Sequence, residues 1–352
     1  MAKKGKILVT GATGHLGNNL LRQLLDAGES VRVLVQRGIG EDSLEGLDVD
    51  LFYGDLRNPD DMMKAAEGIQ RIYHTAAQIS TVNGTEAAKR QIFATNVTGT
   101  RYLLEAAKKH GVERMVFTGS FSATGHRLDD PSASVDENEP FYPFHDHMPY
   151  ARSKLLGEYE CLKAVADGFD VVIATSCSII GGHDYVPSRM GKTLCDFANG
   201  KLWAYVPGGF EFIRASDCAR GHILAMEKGR KGQKYLLHTE FLTLDDLLTI
   251  FEAVTGRRRP VLRLPAPVLS AVAEVVQFVL TPFPRIPQRL TPGAIRILRM
   301  HRHLDITKAK EELGYEPTSM REAVQDAYDF FVARGKIKRP YRPVERVARA
   351  AI

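Results

Sequence analysis

Thr10-Gly11-Ala12-Thr13-Gly14-His15-Leu16-Gly17 follows the short apolar run Ile7 to Thr10 and leads into leucines spaced at three and four, Leu16, Leu20, Leu21, Leu24 and Leu25. The stretch reads as strand, tight turn and amphipathic helix. Glycines at 11, 14 and 17 permit the turn, let backbone approach a pyrophosphate closely and let the helix pack on the sheet, while the helix amino end faces the phosphates. The expectation is a dinucleotide held by Gly11, Thr13, Gly14, His15, Leu16 and Gly17.

Outward from this turn, the first half of the chain alternates strand and helix patterns. Val31 to Val35, Leu51 to Tyr53, Ile72 to His74, Met115 to Thr118 and Val171 to Thr175 are short apolar runs suited to strands buried on both faces. Helical stretches such as Tyr102, Leu103, Ala106 and Ala107 lie between them, and Gly28 and Gly111 mark helix ends. Such a βαβ series builds an α/β fold, a Rossmann-type doubly wound parallel sheet that takes its ligand at the carboxyl ends of its strands. After about residue 176 prolines punctuate shorter elements. The expected division is a dinucleotide-binding domain over 1–175, to which 211–238 return, a smaller C-terminal substrate domain mainly over 176–335, and a basic tail over 336–352.

The formal charge is +5, and Lys336, Lys338, Arg339, Arg342, Arg346 and Arg349 set against Glu345 account for all of it. The remainder is neutral, which argues against a nucleic-acid surface. A solvated terminus is the expectation for the tail, contact with anionic lipid or a partner the alternative. Cys161, Cys177, Cys195 and Cys218 show neither metal-ligand nor disulfide-framework spacing and read as reduced thiols. The first six residues lack the apolar stretch of a signal peptide, so a cytoplasmic location is expected. Residues 268–280 are strongly apolar but fall short of the roughly 20 needed to span a bilayer. They read as a lid or interface helix, with peripheral membrane contact as the alternative. His145-Asp146-His147 has no further ligands clustered with it and reads as a loop with cleft-lining histidines, with no metal.

Tyr150 and Lys154 stand four residues apart just after Pro149, so on a helix the phenol and the ammonium share one face. A neighbouring positive charge lowers a tyrosine pKa toward the range of a useful proton shuttle. Tyr159 and Lys163 repeat the spacing, but nine residues of helix turn Tyr159 to the opposite face, so the two pairs cannot line one cleft. Tyr150, at the helix start beside an irregular stretch, is the expected catalytic residue.

The chain resembles the extended short-chain dehydrogenases/reductases, the group containing nucleotide-sugar epimerases, 3β-hydroxysteroid dehydrogenases and dihydroflavonol reductases. The likeness covers nearly the whole length. It is carried by the glycine turn, Gly54-Asp55-Leu56, Tyr73-His74-Thr75-Ala76-Ala77, Asn96-Val97-Thr98-Gly99-Thr100, Val116-Phe117-Thr118-Gly119-Ser120, Tyr150 with Lys154, and the late Leu304-Asp305-Ile306-Thr307-Lys308-Ala309 and Glu312-Leu313-Gly314-Tyr315-Glu316-Pro317 runs. It implies that Asp55 and Leu56 contact adenine, that Ala76 and Ala77 flank the pyrophosphate and ribose, and that Thr118 and Ser176 join them. It further implies that Lys154 anchors a ribose, that Ser120 binds the substrate oxygen, with Ser122 its rival, and that the chain forms a homodimer through the helix bearing Tyr150 and the one before the fifth strand.

Val35-Gln36-Arg37 lacks the acid that holds a ribose diol in NAD-preferring folds, and Arg37 offers a partner for a 2′-phosphate, so NADP(H) is favoured over NAD(H). Epimerases of the group typically carry a diphosphate-binding asparagine where this chain has Ser178, and an arginine where it has Phe210. Arg214 or Arg189 would have to substitute. Phe121 follows the candidate serine, and Phe141, Tyr142 and Phe144 precede the catalytic helix. With Ser122, Phe121, Phe144 and Ser178 as substrate contacts, the expectation is an oxidoreductase acting on an apolar ketone or secondary alcohol. The alternatives are a nucleotide-sugar epimerase or dehydratase and a non-catalytic redox-sensing scaffold.

Overall fold

In the computed structural model, residues 5–80, 85–125, 130, 133–139, 148–265, 273, 275, 276, 298, 301–338 and 340 are described. The strands are β1 (Lys6–Thr10), β2 (Val31–Val35), β3 (Asp50–Tyr53), β4 (Ile69–His74), β5 (Arg114–Ser120), β6 (Ser134–Val135), β7 (Val171–Ser176), β8 (Ser178–Ile180), β9 (Ala204–Tyr205), β10 (Gly209–Arg214), β11 (Lys234–Leu237), β12 (Glu240–Thr243), β13 (Leu262–Arg263) and β14 (His303–Leu304). Among the helices are α1 (His15–Asp26), α2 (Pro59–Ala66), α3 (Glu86–Phe93), α4 (Gly99–Lys109), α5 (Pro149–Ala166), α6 (Arg189–Ala198), α7 (Ala215–Lys228), α8 (Leu244–Thr255) and a last described helix, Met320–Ala333.

Seven strands form one parallel sheet in the order β11-β7-β5-β4-β1-β2-β3. The strand order reverses between β1 and β4, which opens a crevice at their carboxyl ends. Apolar side chains fill both faces because the central strands carry consecutive apolar residues, as in Ile7, Leu8 and Val9. One face packs against α1 and α7, the other against α2, α4 and α5. A third apolar cluster, including Leu194, Phe212, Phe251 and Phe331, lies beside the separate β12-β10-β8 sheet.

β5 runs two residues beyond the expected Thr118, so Ser120 is the last residue of the strand. Of the 211–238 stretch, β11 enters the main sheet alongside β7 and α7 packs on its face, while β10 pairs with β8 and β12. Phe144, His145, Asp146, His147 and most of 268–280 and of the basic tail lie outside the described residues. Among the described residues no helix is long and apolar enough to cross a membrane.

Candidate active site

The turn after β1 is shaped by close backbone approach. Gly11 has φ +79°, and a Cβ there would stand 2.6 Å from the Ala76 nitrogen. A Cβ on Gly17 would come within 2.2 Å of the Gly11 carbonyl oxygen, so α1 can sit against the turn only without a side chain at this position. The first turn of α1 thereby faces the crevice with its amide groups, a cradle for a pyrophosphate. Beneath it, buried His74 bridges Thr10 and Thr100: the Thr10 hydroxyl donates to Nδ1 at 2.7 Å and Nε2–H donates to Thr100 Oγ1 at 2.9 Å. The Thr100 hydroxyl is committed to the Asn96 carbonyl, which fixes this direction. Burial holds His74 neutral, its pKa pushed down to about 3.

A cavity of about 780 Å³ runs from this turn to the ends of β5, β7 and β8. Gly11, Thr13, Gly14, His15, Leu16 and Gly17 line it, as do Leu56, Ala76, Ala77, Thr118 and Ser176. Ser120, Tyr150, Lys154, Phe121, Ser122 and Ser178 line the same cavity. Tyr159, by contrast, is 36% exposed and outside it, as the helix-face argument requires.

Arg37 and Asp55 fall outside the lining. The Arg37 guanidinium lies 4.3 Å from the Tyr53 ring centroid, and the Asp55 carboxylate accepts from Arg57 at 3.0 Å, which lowers its pKa. Gln36 and Arg57 reach the cavity instead.

The Ser120 and Ser122 hydroxyls are 2.8 Å apart, and Tyr150 lines the cavity near them. Burial raises the Tyr150 pKa and the nearby Ser120 hydroxyl opposes the rise only in part, with no lowering from Lys154. The reason is where the ammonium points. Lys154 Nζ donates to the Thr118 carbonyl, lies 4.3 Å from the Phe117 ring centroid and is so desolvated that its own pKa falls to about 8. Buried Glu158, one turn further along α5, opposes that fall and is itself paired with Lys234 at 2.6 Å.

Other residues escaped sequence reasoning. Asn96 sits in a π-helical turn, Ala94–Thr98, where its side chain accepts from the Gln78 amide at 2.7 Å and donates to the Ser153 hydroxyl at 2.9 Å. It ties the cavity loop at Gln78 to the helix of Tyr150; the motif Asn96-Val97-Thr98 was its only signal. Arg302 and Glu211 also line the wall, both buried. Arg302 donates to the Thr124 carbonyl at 2.9 Å and lies 4.3 Å from the Phe121 ring centroid. Glu211 accepts from the Leu304 amide at 2.8 Å and faces His238 Nδ1 at 2.7 Å. No local pattern links residues so distant in sequence.

Arg214 is drawn away from the cavity by Asp326 and Glu322, each at 2.8 Å. Arg189 does line it. No cluster of three or more candidate metal ligands occurs among the described residues.

A glycine cradle at the switch point of a parallel sheet, opening into a cavity with hydroxyl and phenol groups at its far end, defines a Rossmann-type dinucleotide enzyme. Within that class the chain belongs to the NAD dependent epimerase/dehydratase family, whose model matches residues 7–237. It is 39% identical over 331 residues to sterol demethylase protein B of Methylococcus capsulatus, covering 94% of this chain and 99% of the relative. It is 33% identical to a putative dihydroflavonol 4-reductase of Synechocystis, covering 94% and 95%. The crystal structure of gox2253 superposes with a TM-score of 0.81 at 31% identity, covering 95% of this chain and 100% of the other.

Proposed function

We propose that this enzyme transfers a hydride between a nicotinamide dinucleotide and an apolar ketone or secondary alcohol. The observation that carries the reading is the convergence of Ser120, Tyr150 and Lys154 on one cavity whose glycine cradle fits a dinucleotide. The dinucleotide, when bound, supplies or accepts the hydride. Ser120 holds the substrate oxygen, and the Tyr150 phenol gives that oxygen its proton in reduction or takes it in oxidation. Lys154, fixed to the end of β5, places a positive charge and a donor beside the ribose position. Phe121, Phe210, Met190 and Ile179 give the substrate end an apolar wall. The names of the sterol and dihydroflavonol relatives support the same substrate class.

NADP(H) is the preferred cofactor in this reading, because Val35-Gln36 offers no acid to repel a 2′-phosphate and Arg57 reaches the cavity with Arg37 near it. The active form is a cytoplasmic homodimer, supported by exposed Tyr159 and Leu162 on α5, which packs against α4. Screening NADPH and NADH oxidation over a panel of sterol, polyketide and flavonoid ketones tests the proposal. Turnover with none of them, or only with sugar nucleotides, would refute it.

A further inference from the structure

We propose that the β9/β13 strand pair is a docking surface for an anionic lipid bilayer. Trp203 is 71% exposed, Val261 97% and Leu262 48%. The register that pairs Leu262 with Ala204 and Arg263 with Tyr205 sets Trp203 beside Val261 at one strand end, with exposed Leu262 next in the chain. They project from a rigid base. Tyr205 is buried, and its hydroxyl donates to Asp245 of α8 at 2.6 Å and accepts from Arg263 at 2.6 Å.

Cations surround the apolar group: Lys201, Arg257, Arg258, Arg259 and Arg263 are all exposed. Asp245 is the local counter-charge, engaging Arg263 at 2.5 Å and Arg259 at 3.8 Å. Arg257 donates to the Ala198 carbonyl at 2.9 Å, and Arg258 has no ion pair among the described residues. An indole with aliphatic neighbours suits the boundary between headgroups and acyl chains, and the surrounding cations suit the phosphates of an anionic leaflet. Three apolar side chains fall far short of the roughly 800 Å² per partner in a stable protein interface. β9 ends five residues before Phe210 of the cavity wall. The docking does not depend on the substrate reading.

Trp203 is the chain's single tryptophan and therefore reports on this surface alone. The full-length protein is titrated with phosphatidylcholine vesicles with and without phosphatidylglycerol, reading tryptophan emission and co-sedimentation. Expected are a blue shift and sedimentation with the anionic vesicles, both weakened by salt. Val261→Glu with Leu262→Glu should weaken partition at least tenfold, and Arg258→Ala about fivefold, while melting and cofactor binding stay unchanged. Sedimentation without a blue shift, equal binding to neutral vesicles, or loss of binding on truncation after Lys338 would overturn the proposal. So would a self-association abolished by the double variant, which would make the surface a contact between copies.

Discussion

Lys154 reaches across from α5 to donate to the main-chain carbonyl of Thr118, two residues before the end of β5. The Thr118 hydroxyl in turn donates to His222 Nε2 at 2.9 Å, since His222 Nδ1–H is committed to the Cys218 carbonyl at 2.8 Å. Helix α7 thus braces the strand end that holds the lysine, and the same short segment presents Ser120 to the Tyr150 phenol. Strand end and catalytic helix are locked together by polar contacts in a buried setting, where each is stronger than in water.

This burial makes stability depend on pH with a definite sign. Lys154 has its pKa lowered from 10.5 to about 8, so between those values the unfolded chain binds the proton and the folded chain does not. Stability therefore rises as pH rises from 8 to 10.5, by about 3 kcal/mol on the scale of 1.36 kcal/mol per pKa unit. Lys154→Met removes this gain. Denaturant unfolding of both proteins across pH 7 to 10.5 should show the wild type gaining on the variant, and parallel curves would contradict the desolvated lysine.

Gly17→Ala and Gly14→Ala should separate packing from binding. The Gly17 Cβ would meet the Gly11 carbonyl at 2.2 Å, and backbone cannot step aside cheaply, so a loss of about 1 to 3 kcal/mol is expected in the free protein. A Cβ at Gly14 meets the same oxygen at 3.2 Å, a crowding a full ångström milder, and stands at the amino end of α1. Gly14→Ala should cost less stability than Gly17→Ala and bind dinucleotide more weakly. Thermal melts with and without NADPH check both halves.

Tyr150→Phe should lower turnover by about a hundredfold to ten-thousandfold, the usual worth of a positioned proton donor, while cofactor binding persists. Tyr159→Phe, outside the cavity, should be close to silent. Equal losses in both would mean that the wrong face of α5 was assigned.

How far the sequence could be read follows from how each feature is encoded. The glycine turn, the central strands and the placing of Tyr150 and Lys154 on one cavity rest on local spacing, and local spacing survives folding. That Arg37 stacks on Tyr53 could not be read from its place two residues after Val35, because the ring is brought there by the neighbouring strand. The pKa of Tyr150 was misjudged because burial, unlike charge, has no sequence motif. Arg302 and Glu211 meet at the wall only through the pairing of β14 with β6 and the Glu211 bond to Leu304, contacts no periodicity announces.

The cavity should have no useful affinity for UDP-sugars. Ser178 and Phe210 line it where a diphosphate would need an amide and a guanidinium, and charge-assisted bonds of this kind are worth about 1.5 to 3 kcal/mol each. Arg214 does not compensate, because Asp326 and Glu322 hold it with two ion pairs that would have to break first. Arg302 is turned toward Thr124 and Phe121. Of the other arginines lining the cavity among the described residues, Arg57 is paired with Asp55, which leaves Arg189 to meet the diphosphate, and one cation recovers little. Two lost contacts should weaken binding by roughly two orders of magnitude or more. Calorimetric titration of the NADP-loaded protein with UDP-glucose and UDP-galactose measures this directly, and micromolar binding of either would return the site to the sugar-nucleotide epimerases. Phe210→Arg supplies the converse: if the wall residue sets the preference, this change should raise UDP-sugar affinity while lowering turnover of an apolar ketone.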